Sequence, residues 1–99
     1  MSVTVILEAK AKPENRDKLK QLFVDILPDT RAYGGCQGLE LIVNQEDPET
    51  LIVFERWESR KHYEAYLKWR TDTGALATLV PMLATPPSIR YFDSVKAFP

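Results

Sequence analysis

The apolar side chains of this 99-residue chain switch back and forth between strand alternation and helical spacing, and the order of these switches limits the fold. Val3 to Lys10 is β-branched and apolar, and reads as a strand. From Asn15, the expected N-cap, Leu19, Leu22, Phe23, Ile26, Ala32 and Tyr33 follow helical spacing. Pro28 falls inside this run and predicts a kink or break, and Gly34-Gly35 ends the helix. Leu39 to Asn44 and Leu51 to Glu58 read as two strands of a hairpin, joined through the turn residues Asp47-Pro48-Glu49-Thr50. Ser59 caps a second helix running to about Asp72. Ala75 to Leu83 is a short apolar helical segment broken by Pro81, and Ser88 to Val95 is the last strand. The order β-α-β-β-α-β is the split arrangement of a ferredoxin-like α+β fold, a four-stranded antiparallel sheet with its helices on one face. The expectation is one domain over residues 1–99.

Each strand can be divided into two faces. One set comprises Val3, Val5, Leu7, Ala9, Leu39, Leu41, Val43, Leu51, Val53, Glu55, Trp57, Ile89, Tyr91, Asp93 and Val95. Thirteen of these fifteen are apolar or aromatic, which assigns them to the helix-covered face. The opposite set is mixed, but Ile6, Ile42, Ile52, Phe54 and Phe92 can form an apolar stripe. A contiguous stripe on an open face marks an interface, so a second copy is expected to cover it as a two-fold dimer. Glu55 and Asp93 are acids at positions that otherwise read as core. If buried, each requires a partner or a raised pKa, with Arg31 or Arg70 as ion-pair partners; the other reading is a strand end in water. The functional reading of Glu55 is a polar group at the bottom of a pocket between sheet and helices.

Charge and composition narrow the function. Thirteen basic against fourteen acidic residues give a net charge of −1 and no basic arm, which argues against nucleic acid. The single Cys36, read as a small buried residue, and the single His62 leave no cysteine-based zinc site, and no metal is expected. No apolar run suits a membrane helix, and the start is too short and acid-flanked for a signal peptide, so a cytoplasmic setting is the expectation. No phosphate-cradling loop, flavin or nicotinamide fingerprint is present, and no cofactor is expected.

Two stretches carry a family resemblance. Tyr33-Gly34-Gly35-Cys36-Gln37-Gly38-Leu39-Glu40-Leu41 resembles the helix-to-strand junction of the antibiotic biosynthesis monooxygenase (ABM) family, whose usual form is Glu-Pro-Gly-Cys-x-x-Tyr-Glu-Leu. Asp47-Pro48-Glu49 followed by Phe54-Glu55-Arg56-Trp57-Glu58-Ser59 resembles its hairpin and its Glu-x-Trp-x-Ser entry to the second helix. Ala9-Lys10-Ala11-Lys12-Pro13 to Leu19 fits its first strand and helix. The resemblance implies a dimeric α+β barrel. It also implies one of several activities: cofactor-independent monooxygenation of quinols or polyketide anthrones, haem degradation, or sugar-phosphate isomerisation. The histidine common in the family's second helix is replaced here by Tyr66, with His62 one turn earlier, and the first strand lacks the Asn of the haem-degrading branch.

Cofactor-free oxygenation needs a base and a dry, aromatic-walled pocket for an electron-rich ring. His62, Tyr66 and Trp69 share a helix face by spacing, and Glu55 and Trp57 point to the same layer. The expected catalytic residues are therefore His62, Tyr66 and Glu55, with Trp57, Trp69 and Tyr33 as substrate-binding walls. The expected partners are a small phenolic or quinol-type aromatic, O2 and a second copy of the chain. Proton transfer on a small carbonyl compound, as in an isomerase, and a non-catalytic binding dimer are the alternatives.

Overall fold

The computed structural model describes residues 2–99. Its elements are β1 (Val3–Lys10), α1 (Arg16–Ala32), β2 (Cys36–Val43), β3 (Thr50–Trp57), α2 (Arg60–Asp72), α3 (Ala75–Leu79) and β4 (Ser88–Phe92). Short 3-10 turns at Pro13–Asn15 and Val80–Met82 precede α1 and follow α3. The four strands form one antiparallel sheet in the order β2-β3-β1-β4, the ferredoxin-like arrangement expected from the order of elements.

The pairing keeps the two faces distinct. Val5 lies opposite Glu55 and Tyr91, and Leu39 lies opposite Glu55, so these residues share the helix-covered face. A bulge between Cys36 and Gly38 shifts the start of β2, but the register from Leu39 onward matches the alternation. On the other face Ile42 pairs with Ile52 and Ile6 with Phe54. Ile42, Phe54 and Phe92 are each about 40% exposed there (40%, 41% and 43%), so the apolar stripe is real and open in the single chain.

Two expectations are corrected. Pro28 does not break α1, which runs unbroken from Arg16 to Ala32. Pro28 and Val24, four residues before it, are both exposed, so the carbonyl left without its amide donor can be hydrated. Asn15 stands at the α1 N-cap as expected, though without a side-chain capping bond, because the helix is entered through the 3-10 turn. Asp93 and Val95 are not on the covered face: β4 ends at Phe92 and both residues are exposed, so the Asp93 carboxylate needs no buried partner.

Ser59 does cap α2, its hydroxyl accepting from the His62 amide at 3.2 Å. Gly35 has φ +98°, and a Cβ there would lie 2.6 Å from the His62 Cβ, so only glycine fits this junction. The core has two apolar clusters. One joins Leu19, Phe23 and Leu27 of α1 to Ala9, Leu51, Val53 and Leu79. The other joins Val3, Val5, Cys36 and Trp57 to Tyr63 and Tyr66 of α2.

Candidate functional site

On β3 the covered positions run Leu51, Val53, Glu55, Trp57. The first two belong to one cluster and the last to the other, so Glu55 sits at the seam. A cavity of about 130 Å3 opens at that seam. Its walls are Phe23, Ile26 and Leu27 of α1, Tyr63, Tyr66, Leu67 and Arg70 of α2, the α3 residues Ala75, Leu76 and Leu79, and the sheet floor with Glu55. The α3 wall is held near the sheet by backbone bonds from the Lys12 amide to the Met82 carbonyl (2.9 Å) and from the Ala84 amide to the Lys10 carbonyl (2.8 Å). The lining is almost wholly apolar, and Glu55 and Arg70 are its only charged-type side chains.

Glu55 is 2% exposed. One carboxyl oxygen accepts from the Trp57 indole N–H at 3.1 Å. Among the described residues no other group bonds the carboxyl and no buried side-chain oxygen is left unpartnered and sealed, so its second oxygen opens on the cavity it lines. Burial raises its pKa to about 7, against a smaller lowering by the Trp57 donor. Neither arginine pairs with it. Arg31 donates to the Cys36 carbonyl at 2.8 Å, and Arg70 is committed elsewhere.

Tyr66 presents its ring to the cavity, but its hydroxyl faces a polar network: it accepts from Arg70 Nε at 2.9 Å and lies 2.6 Å from Thr30 Oγ1. Burial raises the Tyr66 phenol pKa, partly offset by those bonds. Tyr63 is buried beside it, and burial pushes its phenol far above the usual range. Trp57 is fully buried and packs on Tyr63 and Tyr66, with ring centroids 5.4 and 5.1 Å apart. Tyr33 lies 5.4 Å from Trp69 and 5.4 Å from Tyr66. Trp57, Tyr33 and Trp69 therefore brace the cavity as a packed aromatic layer behind Tyr66, not as its lining.

The structure brings Glu55 and Tyr66 to one cavity and leaves His62 outside it. His62 Nδ1 lies 2.6 Å from Ser59 Oγ and Nε2 3.8 Å from Glu58, in the first turn of α2, with its side chain 43% exposed. Among the lining residues that sequence reading did not assign to the pocket are Tyr63 and Arg70. Their signal was the spacing Tyr63, Tyr66, Arg70, which repeats every three to four residues and marks the buried face of α2. Among the described residues, no group of three or more His, Cys, Asp or Glu side chains is placed to hold a metal ion, and no helix is long and apolar enough to cross a membrane.

A family model described as antibiotic biosynthesis monooxygenase matches residues 2–71. The chain belongs to the antibiotic biosynthesis monooxygenase family. It is 33% identical over 82 residues to the Mycobacterium tuberculosis protein named "Putative monooxygenase Rv0793", covering 77% of this chain and 80% of that one. It is 29% identical over 76 residues to "Probable quinol monooxygenase YgiN" of Escherichia coli K12, covering 67% and 73%. Among solved structures, the Deinococcus radiodurans protein described as "a putative antibiotic biosynthesis monooxygenase" superposes with a TM-score of 0.85 at 23% identity, covering 98% of this chain and 96% of that one, which shows a shared fold. The family match contains Glu55, Trp57, Tyr63, Tyr66 and Arg70, whereas the α3 wall of the cavity lies beyond it. This ABM chain thus has its polar cavity groups in the family core and one wall in its own C-terminal part.

Proposed function

We propose that this ABM protein is a monooxygenase that oxidises a single-ring phenol or quinol with O2, and that Glu55 is its base. The observation that carries the reading is a buried carboxyl of pKa about 7 opening on an otherwise apolar cavity. A base poised near the working pH can both take and return a proton. An apolar cavity of about 150 Å3 takes up benzene, so a volume of about 130 Å3 suits one ring.

The chemistry balances with O2 as the oxidant. Glu55 takes the phenolic proton. The electron-rich phenolate passes one electron to O2, and the radical pair recombines to form a C–O bond at a ring carbon bearing hydrogen. Glu55 returns its proton to the peroxide. It then removes the hydrogen from that carbon as the O–O bond breaks, and the departing hydroxide takes the same proton and leaves as water. The net change is one C–H converted to C=O, the phenol oxidised to a quinone, and one oxygen atom reduced to water. The apolar walls keep water from the peroxide, and the rings of Tyr63 and Tyr66 hold the substrate plane. His62, in the α2 cap outside the cavity, has no step in this scheme. The test is an oxygen-electrode assay with hydroquinones and substituted phenols. Uptake well above the uncatalysed rate is expected, and loss of that uptake in Leu79→Trp, which fills the cavity. Uptake unchanged by the filled cavity would overturn the assignment of the site.

The open stripe of Ile6, Ile42, Ile52, Phe54 and Phe92 supports a second copy packed face to face on the sheet. Phe54→Asp, at a position 41% exposed in the single chain, is expected to convert a dimer into a folded monomer. Light scattering after size exclusion reads the mass. A wild-type chain that runs as a monomer at micromolar concentration would contradict it.

A further inference from the structure

Arg70 is 6% exposed and carries five N–H donors, of which three are spent on neutral acceptors. Nε donates to the Tyr66 hydroxyl at 2.9 Å, and Nη2 donates to the Ile26 carbonyl at 2.7 Å and to Thr30 Oγ1 at 2.9 Å. No described carboxylate forms an ion pair with it. The face of Trp69, 4.7 Å from the guanidinium carbon, is its nearest compensation. Among the described residues Nη1 has no acceptor, and no buried side-chain nitrogen is left unpartnered and sealed, so Nη1 reaches open space. Arg70 lines the same cavity as Glu55, and the two do not pair.

We propose that Arg70 is a specificity-determining residue and that the substrate is a hydroxylated aromatic carboxylate, bound with its carboxylate on Arg70 Nη1 and its hydroxyl toward Glu55. The inference rests on the cavity being the substrate site, as in the proposed function, but not on oxygenation. A buried, unpaired guanidinium with free donors selects an anion. Its hydrogen bonds to a carboxylate are charge-assisted, and the low-dielectric walls strengthen the attraction. A neutral ring would leave those donors unpaired, a loss that discriminates against it. The remaining three bonds fix the guanidinium to α1 and α2, so the donors are already in place before a ligand arrives.

Binding measured without O2 separates this claim from turnover. Calorimetry with 4-hydroxybenzoate, 4-hydroxybenzamide and 4-methylphenol is expected to show the carboxylate binding at least about 10-fold tighter than either neutral ring. Arg70→Met is expected to remove that preference, and Arg70→Lys to keep part of it. Arg70 also ties α1 to α2, so Arg70→Met can fail to fold; in that case the three ligands on the wild-type protein decide. Equal affinities in the wild type, no binding of any of the three, or a preference surviving in folded Arg70→Met would overturn the proposal. Selective anaerobic binding with no turnover would instead sink the monooxygenase reading and leave this one standing.

Discussion

Glu55→Gln is expected to lower turnover of a phenolic substrate about 10²–10⁴-fold, the range for loss of a positioned base, while making the folded protein more stable at alkaline pH. The two effects have one cause. The carboxyl lies in an apolar seam with a single donor, so ionising it in place is costly and its pKa stands at about 7 against an ordinary 4.5. Below the ordinary value the folded and unfolded chains both hold the proton. Between 4.5 and about 7 the unfolded chain releases it and the folded chain keeps it, so stability falls as pH rises through that window. Above about 7 both forms are ionised, and the accumulated loss is about 3 kcal/mol. Glutamine keeps the size and still accepts from Trp57, but cannot ionise. Wild type and Glu55→Gln should therefore melt at similar temperatures near pH 4. The variant should melt higher above pH 8, by about 4–8 °C per kcal/mol for a domain of this size. The wild-type rate should rise through an inflection near pH 7. A variant that melts lower than wild type at pH 8 would show that the buried carboxylate is stabilised by something other than Trp57.

Trp57→Ala is expected to cost about 3–5 kcal/mol, the range for removing a large buried aromatic, out of a total stability of about 5–15 kcal/mol. The indole packs against Tyr63 and Tyr66 and lies 6.3 Å from Tyr33, so its loss empties the centre of the second core cluster. It also removes the only donor to Glu55 among the described residues. Trp57→Phe separates these roles. It keeps most of the packing but not the N–H, so the rate inflection should move above pH 7 while the fold survives, because the Trp57 bond is what lowers the Glu55 pKa. Denaturant unfolding of Trp57→Ala and a pH–rate profile of Trp57→Phe are the measurements. A Trp57→Phe inflection unmoved or lowered would show that the indole N–H does not act on the carboxyl.

Much of this site is legible in the sequence. Glu55 stood out because strict alternation put an acid among apolar neighbours, and β3 keeps that alternation from Leu51 to Trp57. The same logic misplaced Asp93, because parity says nothing about where a strand ends, and β4 stops one residue short of it. His62 drew attention as the chain's single histidine, yet local capping geometry holds it beside Ser59 and over Gly35. Sequence reading raised Arg70 only as an ion-pair partner for Glu55, not as a cavity residue, because a charged residue near a helix end ordinarily reads as solvated. Only the packing of α1 against α2 shows its guanidinium turned inward to Thr30 and Ile26. Pro28 was misjudged for a related reason: a helix proline disrupts most where its freed carbonyl is buried, and exposure is a property of the assembled fold.

The most direct test of the central claim is turnover under isotopically labelled O2, with the product read by mass spectrometry. The result expected is one labelled oxygen atom in each quinone product, the other in water, and no reaction when O2 is removed. Turnover that continues without O2, yielding a product free of label, would contradict the monooxygenase assignment and leave Glu55 as the proton shuttle of an isomerase.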